Sequence, residues 1–290
     1  MRQCFESAYA KINITLDVLG RRPDGYHDLR MIMQTVSLCD MLSIRVACGG
    51  NDIKTVSNLG YLPGDERNIA VKAARAFFEA TEIPCDGVNI AIEKRIPVAA
   101  GLAGGSANGA AVLRALNKLY EAGLNDEQLC AIGLKIGADV PFCILGGTML
   151  AEGVGERLTR LPDMPACSVV LVKPGFGIST ARVFGSLDSG AIESHPDTSL
   201  VRRAINAGDL ATIGKNMYNV LERVVSETRS DVPTVKKTLL ELSALGAVMS
   251  GSGSTTFGIF ADDALAAAAY KKLRRKYKDT FLAKTCSIRG

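Results

Sequence analysis

The stretch Pro97-Val98-Ala99-Ala100-Gly101-Leu102-Ala103-Gly104-Gly105-Ser106-Ala107-Asn108 is made almost wholly of small residues. It lies between a run with the period of a strand and one with the period of a helix. Side chains of this size let backbone amides approach an anion, and the free amides at a helix start carry about half a positive charge. Phosphate binding suits such a segment; tight helix packing or a flexible turn is its other use. No Lys-Ser or Lys-Thr closes the segment as in a P-loop, and the G-x-G-x-x-G spacing of dinucleotide folds is missing. Upstream, Ile12, Ile14, Leu16 and Val18 alternate with Lys11, Asn13, Thr15 and Asp17, so an ammonium and an amide share one face of a strand. Pro23-Asp24-Gly25 is turn chemistry, followed at once by Tyr26 and His27.

Positioning these residues takes several elements. From Asn68, Ile69, Ala73 and Phe77 with Ala70, Ala74 and Phe78 recur every four residues and predict a helix. Residues 88–92 return to period two as a strand, and Val112, Leu113, Leu116 and Leu119 form the stripe of the helix after the small-residue loop. Residues 125–135 predict a helix with Asp126 and Glu127 in its first turn, as the helix dipole prefers. Residues 42–46 and 168–172 read as strands, 209–225 and 234–245 as helices, and 247–260 as strand, turn, strand. Two prolines near 161–165 suggest a domain crossing, which divides the chain into 1–161 and 162–290. Strands and helices mix without strict alternation, so the expected class is α+β in two lobes.

Composition narrows the function. The 290 residues carry 34 Lys plus Arg against 30 Asp plus Glu, a net charge of +4, with 47% hydrophobic and 22% charged residues. These are the proportions of a globular chain rather than a disordered or fibrous one. Trp is absent and aromatics make up 6%, which gives little support to a surface for stacking sugars or bases. The basic block at 271–278 reads as the solvated face of a C-terminal helix whose Tyr270, Leu273 and Tyr277 turn inward. Eight cysteines, Cys4, Cys39, Cys48, Cys85, Cys130, Cys143, Cys167 and Cys286, show no C-x-x-C pair and no histidine cluster, so a zinc site is not expected. With no signal-peptide pattern at the start and no run of 18 apolar residues, a reduced, soluble, cytoplasmic protein is expected.

Four further segments join the small-residue loop in one ordered pattern. They are Ala10-Lys11-Ile12-Asn13, then Arg21-Arg22-Pro23-Asp24-Gly25-Tyr26-His27, then Gly137-Ala138-Asp139-Val140-Pro141-Phe142, and Met249-Ser250-Gly251-Ser252-Gly253. Together they resemble the galactokinase, homoserine kinase and mevalonate kinase superfamily (GHMP kinases). Within it, Asp-Gly-Tyr-His and Ala-Asp-Val-Pro-Phe resemble the branch acting on 4-diphosphocytidyl-2-C-methyl-D-erythritol. The resemblance runs from Ala8 to about Phe260.

The resemblance implies a two-lobed fold with the active site in the cleft between lobes, and transfer of a phosphoryl group from ATP to the 2-hydroxyl of that substrate, with Mg2+. It implies Asp139 and Lys11 as the catalytic pair, because an alcohol attacking phosphorus must lose its proton and a cation steadies the carboxylate and the developing charge. ATP is assigned to residues 97–107 with Asn68 and Lys94. The substrate is assigned to Asn13, to Tyr26 and His27 for the cytosine ring, and to Thr180. Ser106 is a candidate for contact with magnesium, whose ligands stay unassigned. Ala103 and Ala107 depart from a family loop that usually has Gly and Ser there. Partners are then a small molecule, with neither nucleic acid nor membrane, in a monomer or homodimer. The rivals are a kinase of homoserine or mevalonate, which Asp24-Gly25-Tyr26-His27 disfavours, and a basic RNA-binding protein using 271–278 with steep salt dependence.

Overall fold

A computed structural model describes residues 2–47, 50–187 and 192–287; Cys48 lies outside them. The chain groups into two compact units, each assembled from interleaved segments. One holds residues up to Ala10, Cys39–Ile96 and Ala103–Leu145; the other holds Lys11–Leu38, Pro97–Leu102 and everything from Gly146 on. Strands β1 (Gln3–Arg21) and β2 (His27–Val46) are long enough to contribute to both.

In the first unit, β4 (Val88–Glu93) pairs antiparallel with the end of β2, from Met41 opposite Glu93 to Val46 opposite Val88. On its other edge β4 pairs in parallel with β3 (Ile53–Ser57). Helices α1 (Ile69–Thr81), α2 (Gly104–Leu119), α3 (Asp126–Leu134) and α4 (Val140–Leu145) complete the unit. The four-residue stripe read from the sequence is the buried face of α1, where Ala70, Ala73, Ala74, Phe77 and Phe78 pack inward. Asn68 caps α1, its side chain accepting from the Ala70 amide at 3.0 Å. At α3 the expected start carries a full capping box between Asn125 and Gln128, which satisfies two otherwise orphaned amides.

In the second unit, the start of β2 pairs antiparallel with β5 (Thr148–Gly153), and β5 with β6 (Arg157–Arg160). A four-stranded antiparallel sheet runs β11-β7-β10-β9, with β7 at Ser168–Lys173, β9 at Gly246–Met249, β10 at Thr256–Phe260 and β11 at Asp279–Lys284. Helices α9 (Asp231–Glu241) and α10 (Asp263–Arg274) cover it, joining Val170, Val172, Val235, Leu239, Phe260 and Leu273 in one core. Tyr277 is buried in that core with Tyr270 packed against it, so the inward stripe of the C-terminal helix is as the sequence indicates.

The Lys11 strand is covered on both faces, residues 10–18 of β1 being buried throughout. One sequence expectation changes. The helix expected over 209–225 is broken into α7 (Leu210–Lys215), a two-residue strand β8 (Tyr218–Asn219) and α8 (Leu221–Ser226). The break has a cause. Asn216 ends α7 and turns its amide back to the Thr212 carbonyl at 2.8 Å, and the next residues pair in parallel with β1, Thr15 opposite Tyr218. Asparagine competes with helical hydrogen bonds in this way. Helix α5 (Thr180–Gly185) is too short to show a period, whereas α6 (Thr198–Ala207), not among the elements expected, has both an N-cap at Asp197 and a buried stripe of Val201, Ala204 and Ile205 that the sequence displays.

Helix α7 sits directly on β9, glycine against glycine: a Cβ on Gly246 would lie 2.6 Å from the Gly214 carbonyl carbon. Backbone cannot yield as a side-chain tip can. Gly246→Ala is therefore expected to lower unfolding free energy by roughly 1–3 kcal/mol, measured as a lower denaturation midpoint.

Candidate active site

The small-residue loop leaves β4 after Glu93 and becomes α2 at Gly104. Three alternate positions adopt left-handed backbone, Ala99 (φ 51°), Gly101 (φ 74°) and Ala103 (φ 55°). Alternation of this kind aims successive amides at one point and forms an anion-binding concavity. Ala103 occupies the N-cap of α2 without a side-chain hydrogen bond, so no side chain there caps the first amides of the helix. The loop is held from behind. Lys11 N donates to Leu102 O and Thr255 N to Ala100 O, both at 3.2 Å, and Ser250 Oγ donates to Gly101 O at 3.0 Å.

The glycines differ in their reasons. A Cβ on Gly101 would run into the Ser250 carbonyl oxygen, so that position serves both left-handed backbone and close approach. At Gly104 a Cβ would stand 2.9 Å from Ile96 Cγ2 and 3.0 Å from Lys94 Nζ, and at Gly105 it would stand 2.9 Å from Ile69 Cδ1. These two are small because α2 is pressed against its neighbours.

Beneath the start of α2 lies a buried polar cluster that periodicity does not reveal. Asp40, on β2, is completely buried and accepts from Lys94 Nζ, from Asn108 Nδ2 at 2.7 Å, and from the amides of Arg95 and Ile96 at 2.7 and 2.8 Å. Lys94 Nζ also reaches Asn108 Oδ1 at 3.3 Å. The Lys94 ammonium is thus neutralised inside the fold, where a buried charge persists only when paired and hydrogen-bonded. Asn58 fixes the Lys94 backbone, bonding its carbonyl at 3.1 Å and its amide at 2.8 Å.

In the second unit, Lys11 is 4% exposed and donates to Asn13 Oδ1 at 2.7 Å, while Asn13, fully buried, donates to Met31 Sδ at 3.3 Å. The Asp24 to His27 turn is built as its residue types suggest. Gly25 takes φ 86°, Tyr26 N donates to Asp24 Oδ1 at 3.1 Å, and Arg22 Nε donates to Asp24 Oδ2 at 3.0 Å. The amide of Tyr26 and the Arg22 guanidinium hold the Asp24 carboxyl below its ordinary pKa. Tyr26 projects into solvent, 66% exposed, whereas His27 lies against Phe184 with ring centroids 5.3 Å apart. The structure thereby adds Phe184, which the sequence reading missed because α5 is one short turn with no aromatic motif. Thr180, at the start of α5, shares a 2.9 Å hydrogen bond with Ser252. His195 is tied to the buried carboxylate of Asp17, Nδ1 to Oδ1 at 2.7 Å.

Asp139, half-buried, ends the turn before α4, and its carbonyl accepts from Cys143 N at 3.1 Å. Burial pushes the thiols of Cys130 and Cys167 up to about 11, so both stay protonated at neutral pH and are unsuited to nucleophilic work. Among the described residues no three His, Cys, Asp or Glu side chains gather as a metal cage.

The fold, with its small-residue loop ahead of α2, is that of the small-molecule phosphotransferases to which the chain is similar. Residues 68–147 match the model of the GHMP kinases N terminal domain, and residues 201–279 match that of the GHMP kinases C terminal. The chain belongs to the GHMP kinase family. It is 45% identical to the 4-diphosphocytidyl-2-C-methyl-D-erythritol kinase of Clostridium acetobutylicum over 96% of this chain and 98% of the relative. It is 46% identical to the protein of that name from Acetivibrio thermocellus over 96% of this chain and 97% of the relative. A crystal structure of 4-(cytidine 5'-diphospho)-2C-methyl-D-erythritol kinase matches with a TM-score of 0.83 at 33% identity, covering 97% of this chain and 98% of that one. Homoserine kinase from Cytophaga hutchinsonii shares the fold, with a TM-score of 0.78 at 18% identity, covering 99% of this chain and 95% of that one.

Replacing Asp40 tests whether the buried cluster holds the base of the loop. Asp40→Asn leaves the Lys94 ammonium buried without its countercharge, and breaking such a pair costs about 3–5 kcal/mol. Chemical denaturation is expected to show a loss of that size, and a loss below 1 kcal/mol would mean that water or another group neutralises Lys94.

Proposed function

We propose that this chain transfers the γ-phosphate of ATP to the 2-hydroxyl of 4-diphosphocytidyl-2-C-methyl-D-erythritol, a step of non-mevalonate isoprenoid precursor synthesis. The observation that carries the reading is identity of 45–47% to relatives of that name from Clostridium and Acetivibrio over 96% of the chain. The homoserine kinase match at 18% identity speaks for the fold alone. The RNA-binding alternative loses its motive, since the basic residues near 271–278 sit on the covering helix of a complete core.

The chemistry follows from what the residues can do. Phosphoryl transfer is largely positioning and charge stabilisation, which the amides of residues 97–107 and the α2 start supply to the phosphates. Asp139 accepts or orients the attacking hydroxyl proton, and Lys11 steadies charge building on the transferred group. Asn68 and Lys94 support the nucleotide segment from behind rather than by direct contact, since the Asn68 side chain caps α1, the Lys94 ammonium is engaged with Asp40 and the Lys94 backbone with Asn58. Asn13 and Thr180 contact the substrate, and Tyr26 with His27 holds the cytosine, the exposed phenol ring offering a face for stacking. Magnesium carried by ATP phosphates needs only one or two protein ligands, which fits a chain without a carboxylate cage among its described residues and leaves Ser106 as a candidate. When bound, the ion would neutralise phosphate charge. In this reading residues 1–161 are the ATP-binding part and 162–290 the substrate-binding part, with Asn13, Tyr26 and His27 reaching the substrate from Lys11–Leu38, the segment that packs with the C-terminal half. The setting is the cytoplasm, as monomer or homodimer; no described helix is long and apolar enough to cross a membrane.

The direct test is ATP consumption with the diphosphocytidyl substrate set against homoserine and mevalonate; turnover of either of the latter at comparable efficiency would overturn the assignment. Asp139→Asn is expected to lower kcat by roughly 10²–10⁴ while ATP still binds by calorimetry. Tyr26→Ala is expected to raise KM for the diphosphocytidyl substrate by the equivalent of about 1–3 kcal/mol, with KM for ATP nearly unchanged and the melting curve intact.

A further inference from the structure

The break in the helix expected over 209–225 leaves Asn219 buried, 3% exposed, with a full set of partners. Its amide nitrogen donates to Met249 O at 2.7 Å and to Gly251 O at 2.8 Å, and its side-chain oxygen accepts from Leu221 N at 2.9 Å. Three residues on, Glu222 accepts from the Met249 amide at 2.8 Å and from Lys236 Nζ at 2.5 Å. Both polar backbone groups of Met249, where β9 ends, are therefore held by the side chains of one Asn-x-x-Glu segment. That segment is itself fastened to β1, where Val220 N donates to Leu16 O at 3.0 Å.

The turn that follows bears on two parts of the site. A Cβ on Gly251, which has φ 55°, would lie 3.4 Å from Lys11 Nζ and 3.1 Å from Gly101 O. Ser250 Oγ bonds Gly101 O, Thr255 N bonds Ala100 O, and Ser252 bonds Thr180. Moving this turn by a few tenths of an ångström would move the Lys11 ammonium and the loop together.

We propose that Asn219 is a positioning residue for phosphoryl transfer, setting the 250–253 turn so that Lys11 and the loop carbonyls at 100–101 keep their alignment. The role rests on the kinase reading. It depends on the asparagine amide being a donor to two carbonyl oxygens, which makes it separable from simple filling of space. An aspartate at 219 has the same shape but, ionised, only acceptors facing two acceptors; protonated, it regains one donor. Burial favours the protonated form and raises its pKa.

The experiment measures kcat at saturating ATP and diphosphocytidyl substrate for the parent, Asn219→Asp and Asn219→Leu between pH 6 and 8.5, with melting curves at each pH. Turnover by the parent tests the kinase reading alone; the ratio of variant to parent tests Asn219. Expected is a loss of at least tenfold in both variants at pH 8, with the ratio for Asn219→Asp recovering severalfold toward pH 6 while that for Asn219→Leu stays flat. Values of kcat within twofold of the parent at pH 8, or equal and pH-independent losses in both variants, would overturn the proposal. So would an Asn219→Asp protein unfolded at every pH, because Asn219 would then support the whole fold rather than the alignment of the site.

Discussion

Three consecutive carbonyls fix the direction of the loop. Those of Ala100, Gly101 and Leu102 accept from Thr255, Ser250 and Lys11, all donors belonging to the body of the second unit. In a trans peptide the amide of the next residue points opposite to the carbonyl. Anchoring the carbonyls inward therefore turns the amides of residues 101–103 away from these donors. The left-handed geometry at Ala99, Gly101 and Ala103 is the backbone solution that allows this, at a cost of roughly 1–2 kcal/mol where the residue is not glycine. Ala99 and Ala103 bear that cost, and the hydrogen bonds behind the loop offset it.

Two buried ammonium groups then divide the electrostatic work. Lys94 is neutralised by Asp40 beneath α2 and adds no net charge to the site, while it ties β4, β2 and α2 into a rigid base. Lys11, on β1, is buried beside Asn13, and its own amide takes part in anchoring the loop. One residue thus links backbone placement of the anion-binding segment to the position of a cation. The Asp24 turn achieves order differently, at the surface, through an exposed carboxylate stapled by Tyr26 N and Arg22.

Period and spacing were sufficient wherever an element has one buried face. The α1 stripe, the strand at 88–92, the capped start of α3 and the strand-turn-strand over 247–260 all appear where the residues place them. Period is insufficient where a side chain overrides propensity. In β1, Lys11, Asn13, Thr15 and Asp17 are buried, and alternation by itself does not distinguish such a polar interior from solvent. The helical run over 209–225 ends at Asn216, which bonds back to Thr212, and is kept apart from α8 by Asn219, whose partners lie on β1 and β9, far along the chain. Candidate site residues could be named from contiguous motifs, whereas the places of Asp40 and Phe184 could not be read, because each gains its meaning only from a partner distant in sequence.

The interleaving of segments between the two units has a consequence for synthesis on the ribosome. Residues Lys11–Leu38 belong with chain that begins only at Gly146, and Leu29 must wait for Gly153 as its strand neighbour. At about 5–20 residues per second, the first half of β2 spends on the order of ten seconds outside the exit tunnel before β5 exists to pair with it. Its apolar residues Met31, Ile32 and Met33, all buried in the finished protein, are exposed in the nascent chain for that interval. Every segment of the first unit has been made once Leu145 is synthesised, whereas the second unit lacks most of its partners until the chain after Gly146 follows. The order of synthesis thus favours the first unit, and Lys11–Leu38 remain an unpartnered insertion within it until β5 arrives.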